Sequence, residues 1–215
     1  MAVPVLLVAG CSSDSGKGGE ETSAPSASKS ASPSPEPVKF KELPDSCRTL
    51  SKGTVKELVP GTGNPGGKRI GTGDTADSGT CLWSGLKKYD YRQLTVSLKR
   101  FDSDTSRGSG DKQAKDFYQQ QMSEVQDNKD NTGLKQSKLS GVGEQATTLS
   151  YDAKKKDKKG SSEKYHEEYV LARNANVVLS VDYEGAGFED GKTPSSADLK
   201  KGAEKAAKEA MKQVK

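Results

Sequence analysis

Two runs of residues, Glu168–Arg173 and Val177–Tyr183, flank Asn174-Ala175-Asn176 and restrict the possible folds more than any other stretch of the chain. In the second run Val177, Leu179, Val181 and Tyr183 alternate with Ser180 and Asp182, the period of a strand that buries one face. Asn tolerates positive φ, so the three residues between the runs read as the turn of a β-hairpin. Other periodic stretches supply the elements to pack on it. Gln93–Phe101 alternates Leu94, Val96 and Leu98 with polar residues, and Thr80–Trp83 and Glu144–Tyr151 read as further strands. Helical spacing joins Val55, Leu58 and Val59 behind a Ser51 cap, with Pro60-Gly61 as the stop. It also joins Ala114, Phe117, Tyr118 and Val125 between Asp111 and Asp127. A last helix follows the capping-box pattern Ser195-Ser196-Ala197-Asp198, with Leu199, Ala203, Ala206, Ala207, Ala210 and Val214 on one face. The expected class is α+β: an antiparallel sheet packed against about three helices, with no internal repeat.

Composition limits the core of such a fold. Leu, Ile, Val and Phe make up roughly a sixth of the 215 residues, below the level of about a fifth associated with disorder. Disorder also requires high net charge, and here 34 basic residues nearly balance 30 acidic ones, leaving +4. Periodicity therefore decides for one folded domain, residues 38–215, with a thin apolar core.

The N-terminal part reads as an address. The apolar run Val3–Gly10 is too short for a bilayer-spanning helix, which needs roughly 20 apolar residues, but suits a secretory signal. Val8-Ala9-Gly10-Cys11 resembles a bacterial lipobox, which implies that residues 1–11 are a lipoprotein signal and that Cys11 carries diacylglycerol as the mature N-terminus. The alternative is a buried N-terminal strand with a core cysteine. No Lys or Arg precedes the run, so Met1 is read as an internal start or an artificial boundary. Residues 12–37 hold no Leu, Ile, Val, Phe, Tyr or Trp before the final Pro and read as a disordered Ser/Pro/Gly-rich tether. A spacer of this kind spans roughly 30 Å on average and roughly 85 Å at full extension. Such Ser/Thr/Pro tracts can also carry O-linked sugars.

With Cys11 assigned to lipid, Cys47 and Cys81 remain in a segment exported to an oxidising compartment, where a disulfide is the natural reading. Two buried free thiols are the alternative. A metal site fits less well, because two thiols and the single distant His166 do not make the usual four ligands of a structural zinc.

Several motifs carry no chemistry. Gly61-Thr62-Gly63-Asn64-Pro65-Gly66 has the letters of a dinucleotide fingerprint, yet it follows a helix and holds a proline, and Gly66-Gly67-Lys68-Arg69 lacks the Ser or Thr of a phosphate loop. Lys154–Lys159 reads as a solvated hairpin tip, or as a patch for anionic headgroups or wall polymers. Trp83 reads as core rather than pocket lining, and His166, among Glu163, Lys164, Glu167 and Glu168, as an exposed strand-edge residue rather than a general base. Interleaved acids and bases on an exported chain argue against nucleic acid as a partner. No catalytic residue, cofactor or metal ligand emerges.

Asp45-Ser46-Cys47, the helix from Leu50 to Leu58, Cys81-Leu82-Trp83, Gly141-Val142-Gly143-Glu144 and Arg173-Asn174-Ala175-Asn176-Val177-Val178, in that order, resemble the actinobacterial lipoproteins gathered as domain-of-unknown-function family 3558. The resemblance covers essentially residues 38–215 and implies an exported lipoprotein with a paired-cysteine α+β domain on the outer face of the cell membrane. It brings no catalytic residues. The favoured expectation is a non-catalytic binding or interaction module whose partners are the membrane, through the lipid on Cys11, and an envelope protein, lipid or wall polymer. The alternatives are an envelope hydrolase using paired carboxylates, and a structural or signalling partner of a membrane protein, which an exposed apolar patch would mark.

Overall fold

A computed structural model of the chain describes residues 34–71, 76–156, 162–189 and 191–215. The signal-like run, Cys11 and most of the tether-like segment lie outside the described residues, as does part of Lys154–Lys159. A 3-10 turn, η1 (Ser46–Arg48), and helix α1 (Lys52–Leu58) precede strands β1 (Lys68–Ile70), β2 (Ser78–Lys87) and β3 (Asp90–Arg100). Helix α2 (Gly110–Asp127) leads to β4 (Asn131–Lys138), β5 (Gln145–Lys156), β6 (Ser162–Asn174) and β7 (Val177–Gly187), and α3 (Ser196–Met211) closes the fold. The strands form one antiparallel sheet of seven in the order β1-β2-β3-β7-β6-β5-β4.

The period-2 alternation of the central strands sends apolar side chains to both faces. Val177, Leu179, Val181 and Tyr183 of β7 join Leu94, Val96 and Leu98 of β3 and Val170 and Ala172 of β6 beneath α1 and α3. On the other face Leu149, Tyr151, Leu171 and Val178 pack with Ala114, Tyr118 and Met122 of α2. Helices α1 and α3 start at the caps the sequence predicts, the hydroxyls of Ser51 and Ser195 accepting from backbone N–H groups three residues on; α2 starts at Gly110 behind a cap the spacing does not mark, Ser109, which accepts from Lys112 N. The small-residue stripe of α3 lets it lie close on the sheet. A Cβ on Gly202 would come within 2.6 Å of Tyr183 Cε1 and 3.0 Å of Leu58 Cδ2, so only glycine fits at that crossing.

A disulfide joins Cys47 in η1 to Cys81 in β2. Trp83 is buried beside it, and its indole N–H donates to Pro65 O at 3.3 Å. Gly67, at φ 77°, packs directly on Cys81 Sγ and the Trp83 ring. The stretch from Gly61 to Gly79 reads in the sequence as a long polar loop; its described part is seated on the core at Gly67 and includes strand β1.

The β6–β7 turn differs from its expectation. The positive φ belongs to Ala175, at 46°, and not to either asparagine. Asn176 instead ties segments together: its Oδ1 accepts from Phe40 N at 3.0 Å, and its Nδ2 donates to Phe40 O at 2.8 Å and Phe101 O at 2.9 Å. Strands β5 and β6 also run further than their apolar residues, with Lys154–Lys156 in β5 pairing Ser162–Lys164 in β6. Backbone hydrogen bonds sustain that extension without a buried face.

Candidate functional site

A polar groove of about 420 Å³ runs between the first turn of α3 and the β4–β6 side of the sheet. Cross-strand register builds it. Ser150 of β5 stands opposite Glu168 of β6, and Asp152 stands opposite His166, so all four share the face covered further along by α3. The edge strand bends here: β4 slips register on β5 between Thr132 and Lys135, with Gly133 at φ 65° in the irregularity. Lys135, Ser137, Ser150, Asp152, His166 and Lys200 are among the lining residues, with Ser196 and Ala197 from the start of α3.

Glu168 is fully buried beside this groove. The Ser150 hydroxyl donates to its Oε2, while its Oε1 has no hydrogen-bond partner among the described residues. Burial pushes this carboxyl above its ordinary range, against the Ser150 hydrogen bond and the charge of Lys200. Asp152 behaves oppositely. Burial raises it, but the hydrogen bond from Lys164 at 2.9 Å and the adjacent His166 outweigh burial and hold it below the usual carboxylate range. Lys200 crosses from α3 to β4, donating to Ser137 Oγ at 2.7 Å.

His166 is therefore not the exposed strand-edge residue that the sequence suggests. It sits on an interior strand, half-buried, with Nδ1 against Asp152 Oδ1. Ser150 gives its proton to Glu168 and not to this imidazole, so these two residues do not pair as the serine–histidine relay that activates a nucleophile.

A second polar group occupies the opposite face, beyond the reach of α2. Glu167, Asp182 and Glu184 each place a carboxylate oxygen within 4.8 Å of the others and could together hold a cation. An ammonium already stands there. Lys155 Nζ lies 2.8 Å from Glu167 Oε1, contacts Glu184 Oε2, and sits 5.1 Å over the Tyr165 ring. Tyr165, Tyr91 and Phe188 make mutual edge contacts beside it. Asp182 Oδ1 has no hydrogen-bond partner among the described residues. Burial first, then the like charges of Glu167 and Glu184, push Asp182 up to about 7, with Lys155 opposing.

That shift fixes the sign of a pH effect. The folded-state value lies above the unfolded one, so the contribution of Asp182 to stability is full below about pH 4 and is lost as the pH rises to about 7. The melting temperature of the wild type relative to Asp182→Asn should fall across that window in parallel thermal melts. A difference that does not change with pH would contradict the environment described for Asp182.

Of the residues singled out in the sequence, Cys47 and Cys81 are brought together, Trp83 is core, and Cys11 lies outside the described residues. Neither polar group carries a site signal in the sequence, although both are built from alternating residues of strands whose period is partly visible there. Among the described residues the exposed large apolar ones are Ile70, Leu86 near the end of β2 and Tyr89 in the β2–β3 turn. Among the described residues no helix is long and apolar enough to cross a membrane.

No family model and no curated protein matches the chain. Among solved structures, the di-domain ARO/CYC StfQ from the steffimycin biosynthetic pathway aligns at 6% identity over 82% of this chain and 97% of that one, with a TM-score of 0.16. A likeness that slight carries no argument about fold or activity.

Proposed function

We propose that this protein is a lipid-anchored, non-catalytic binding module of the cell envelope, of the kind gathered in domain-of-unknown-function family 3558, and that the groove between α3 and β4–β6 is its ligand site. Cys11 carries the lipid, residues 12–37 form the tether, and the disulfide-stapled sheet presents the groove outside the membrane. One observation carries the binding reading: a fully buried carboxylate, Glu168, stands beside a groove of ligand size with one oxygen unmatched. Buried polar groups are normally satisfied; Glu168 accepts the hydrogen bond of Ser150, a lining residue, and leaves that hydroxyl oxygen free to accept from a ligand.

The groove is tested by amide NMR on the full chain carrying Cys11→Ser, screened with small polar fragments of all charge types. Shifts should gather at Ser137, Ser150 and Ser196; shifts gathered elsewhere would overturn the reading. The anchor is tested separately. Cys11→Ala should leave an unprocessed or soluble protein in fractionated cells, and an unchanged, membrane-bound, lipid-free mature form would rule the anchor out.

A second reading, hydrolysis by paired carboxylates, is favoured by the grouping of Glu167, Asp182 and Glu184. It is the weaker one, because Lys155 neutralises that group from within the fold. It requires turnover of an envelope glycan that Glu184→Gln abolishes.

A further inference from the structure

We infer that the groove takes a small hydroxylated anion, a carboxylate or phosphate carried beside hydroxyl groups, as in an acidic sugar. The inference rests on the groove reading and adds the chemistry of the ligand. Charge comes first. Two lysines, Lys135 and Lys200, line the groove. The one lining acid, Asp152, is already engaged by Lys164 at 2.9 Å and by His166. Glu168 is sealed from solvent, so it adds no exposed negative surface. The first turn of α3 brings Ser196 and Ala197 to the wall, and the first N–H groups of a helix have no partner within it and favour negative charge. Asp198, the acid of that turn, is held by the Ser195 hydroxyl at 2.7 Å and does not line the groove.

Hydroxyl recognition comes from the floor. Ser150 commits its proton to Glu168 and leaves its oxygen lone pairs to accept from a ligand. A donor such as a sugar hydroxyl answers those lone pairs at Ser150, which lines the groove. The volume, about 420 Å³, suits a single small ring better than an extended chain.

The experiment compares four probes on the full chain carrying Cys11→Ser: glucuronate, a hexose phosphate, glucose and glucosamine. They share a ring and differ in charge. Glucuronate, the hexose phosphate or both should shift the Ser150, Ser196 and Ala197 amides at concentrations at least about tenfold below glucose, and which of the two is stronger identifies carboxylate or phosphate as the natural group. Lys135→Met with Lys200→Met should erase that advantage, bringing the concentrations that glucuronate and the hexose phosphate require to within about twofold of that for glucose in the same variant. Lys135→Met alone, at an exposed position, serves if loss of the Lys200–Ser137 bond disturbs folding. Glucose matching the anions, or glucosamine exceeding them, would overturn the inference and leave the groove reading standing. No shift in the groove with any probe would also overturn it, and the groove reading falls with it only if the wider fragment screen misses the groove as well.

Discussion

Replacing Cys47 and Cys81 together by Ala is expected to lower the free energy of unfolding by about 2–5 kcal/mol without changing the fold. The two cysteines are 34 residues apart, and closing a loop of that size removes roughly 4 kcal/mol of entropy from the unfolded chain in the loop-closure model. The enclosed connection amplifies the effect. It holds seven glycines between Gly61 and Gly79, so the unfolded chain has much freedom there to lose. In the folded state the described part of this segment is seated on the sheet through Gly67, which rests on the sulfur and on Trp83. Urea unfolding of the double variant should show the midpoint shift, and reducing agent should reproduce it in the wild type. A loss below about 1 kcal/mol would mean that the packing of α1 and β2 holds the segment without the bond.

Lys155→Met should cost less in total but in a way that depends on pH. The ammonium lies between two almost fully buried carboxylates, Glu167 and Glu184, whose side chains are 6% and 4% exposed. Removing one partner of a fully buried pair costs about 3–5 kcal/mol, but Lys155 keeps 42% of its own side chain in water, which reduces the expected loss to about 1–3 kcal/mol. Glu184, whose carboxyl burial already pushes upward against the pull of Lys155, then escapes by taking up a proton. The loss should therefore be largest at pH 8 and smaller at pH 5, since protonation removes the uncompensated charge. Denaturant curves for wild type and variant at the two pH values measure this directly. An equal loss at both would contradict the charge of Lys155 as the source of the effect.

The parts of this fold that were legible in the sequence are those whose period coincides with burial. The β7 alternation, the α2 and α3 apolar faces and the Ser51 and Ser195 caps each carry a local signal that tertiary packing leaves intact. Strand β4 carries none. It lies at the sheet edge with Leu134 as its one large apolar residue, and its existence depends on backbone pairing with β5. The same holds for the lysine-rich arm, where Lys154–Lys156 are strand because β6 stands beside them. Both polar groups were hidden for a related reason. Glu168 touches Ser150, and Asp152 touches His166, only across a register that the sequence does not state. Glu167 and Glu184 read as solvated charges until Lys155 arrives from a third strand. The disulfide was legible because redox compartment and cysteine count, and not geometry, pointed to it.

The most direct test of a non-catalytic binding module is one experiment read in two ways. The full chain carrying Cys11→Ser is incubated with soluble fragments of cell-wall glycan, its amide spectrum is recorded, and the fragments are then weighed by mass spectrometry. The account predicts shifts concentrated in β4, β5 and the first turn of α3, with every fragment recovered at its original mass. Fragments cleaved by the wild type but not by Glu184→Gln, or shifts concentrated around Tyr91, Tyr165 and Phe188 in place of the groove, would contradict it.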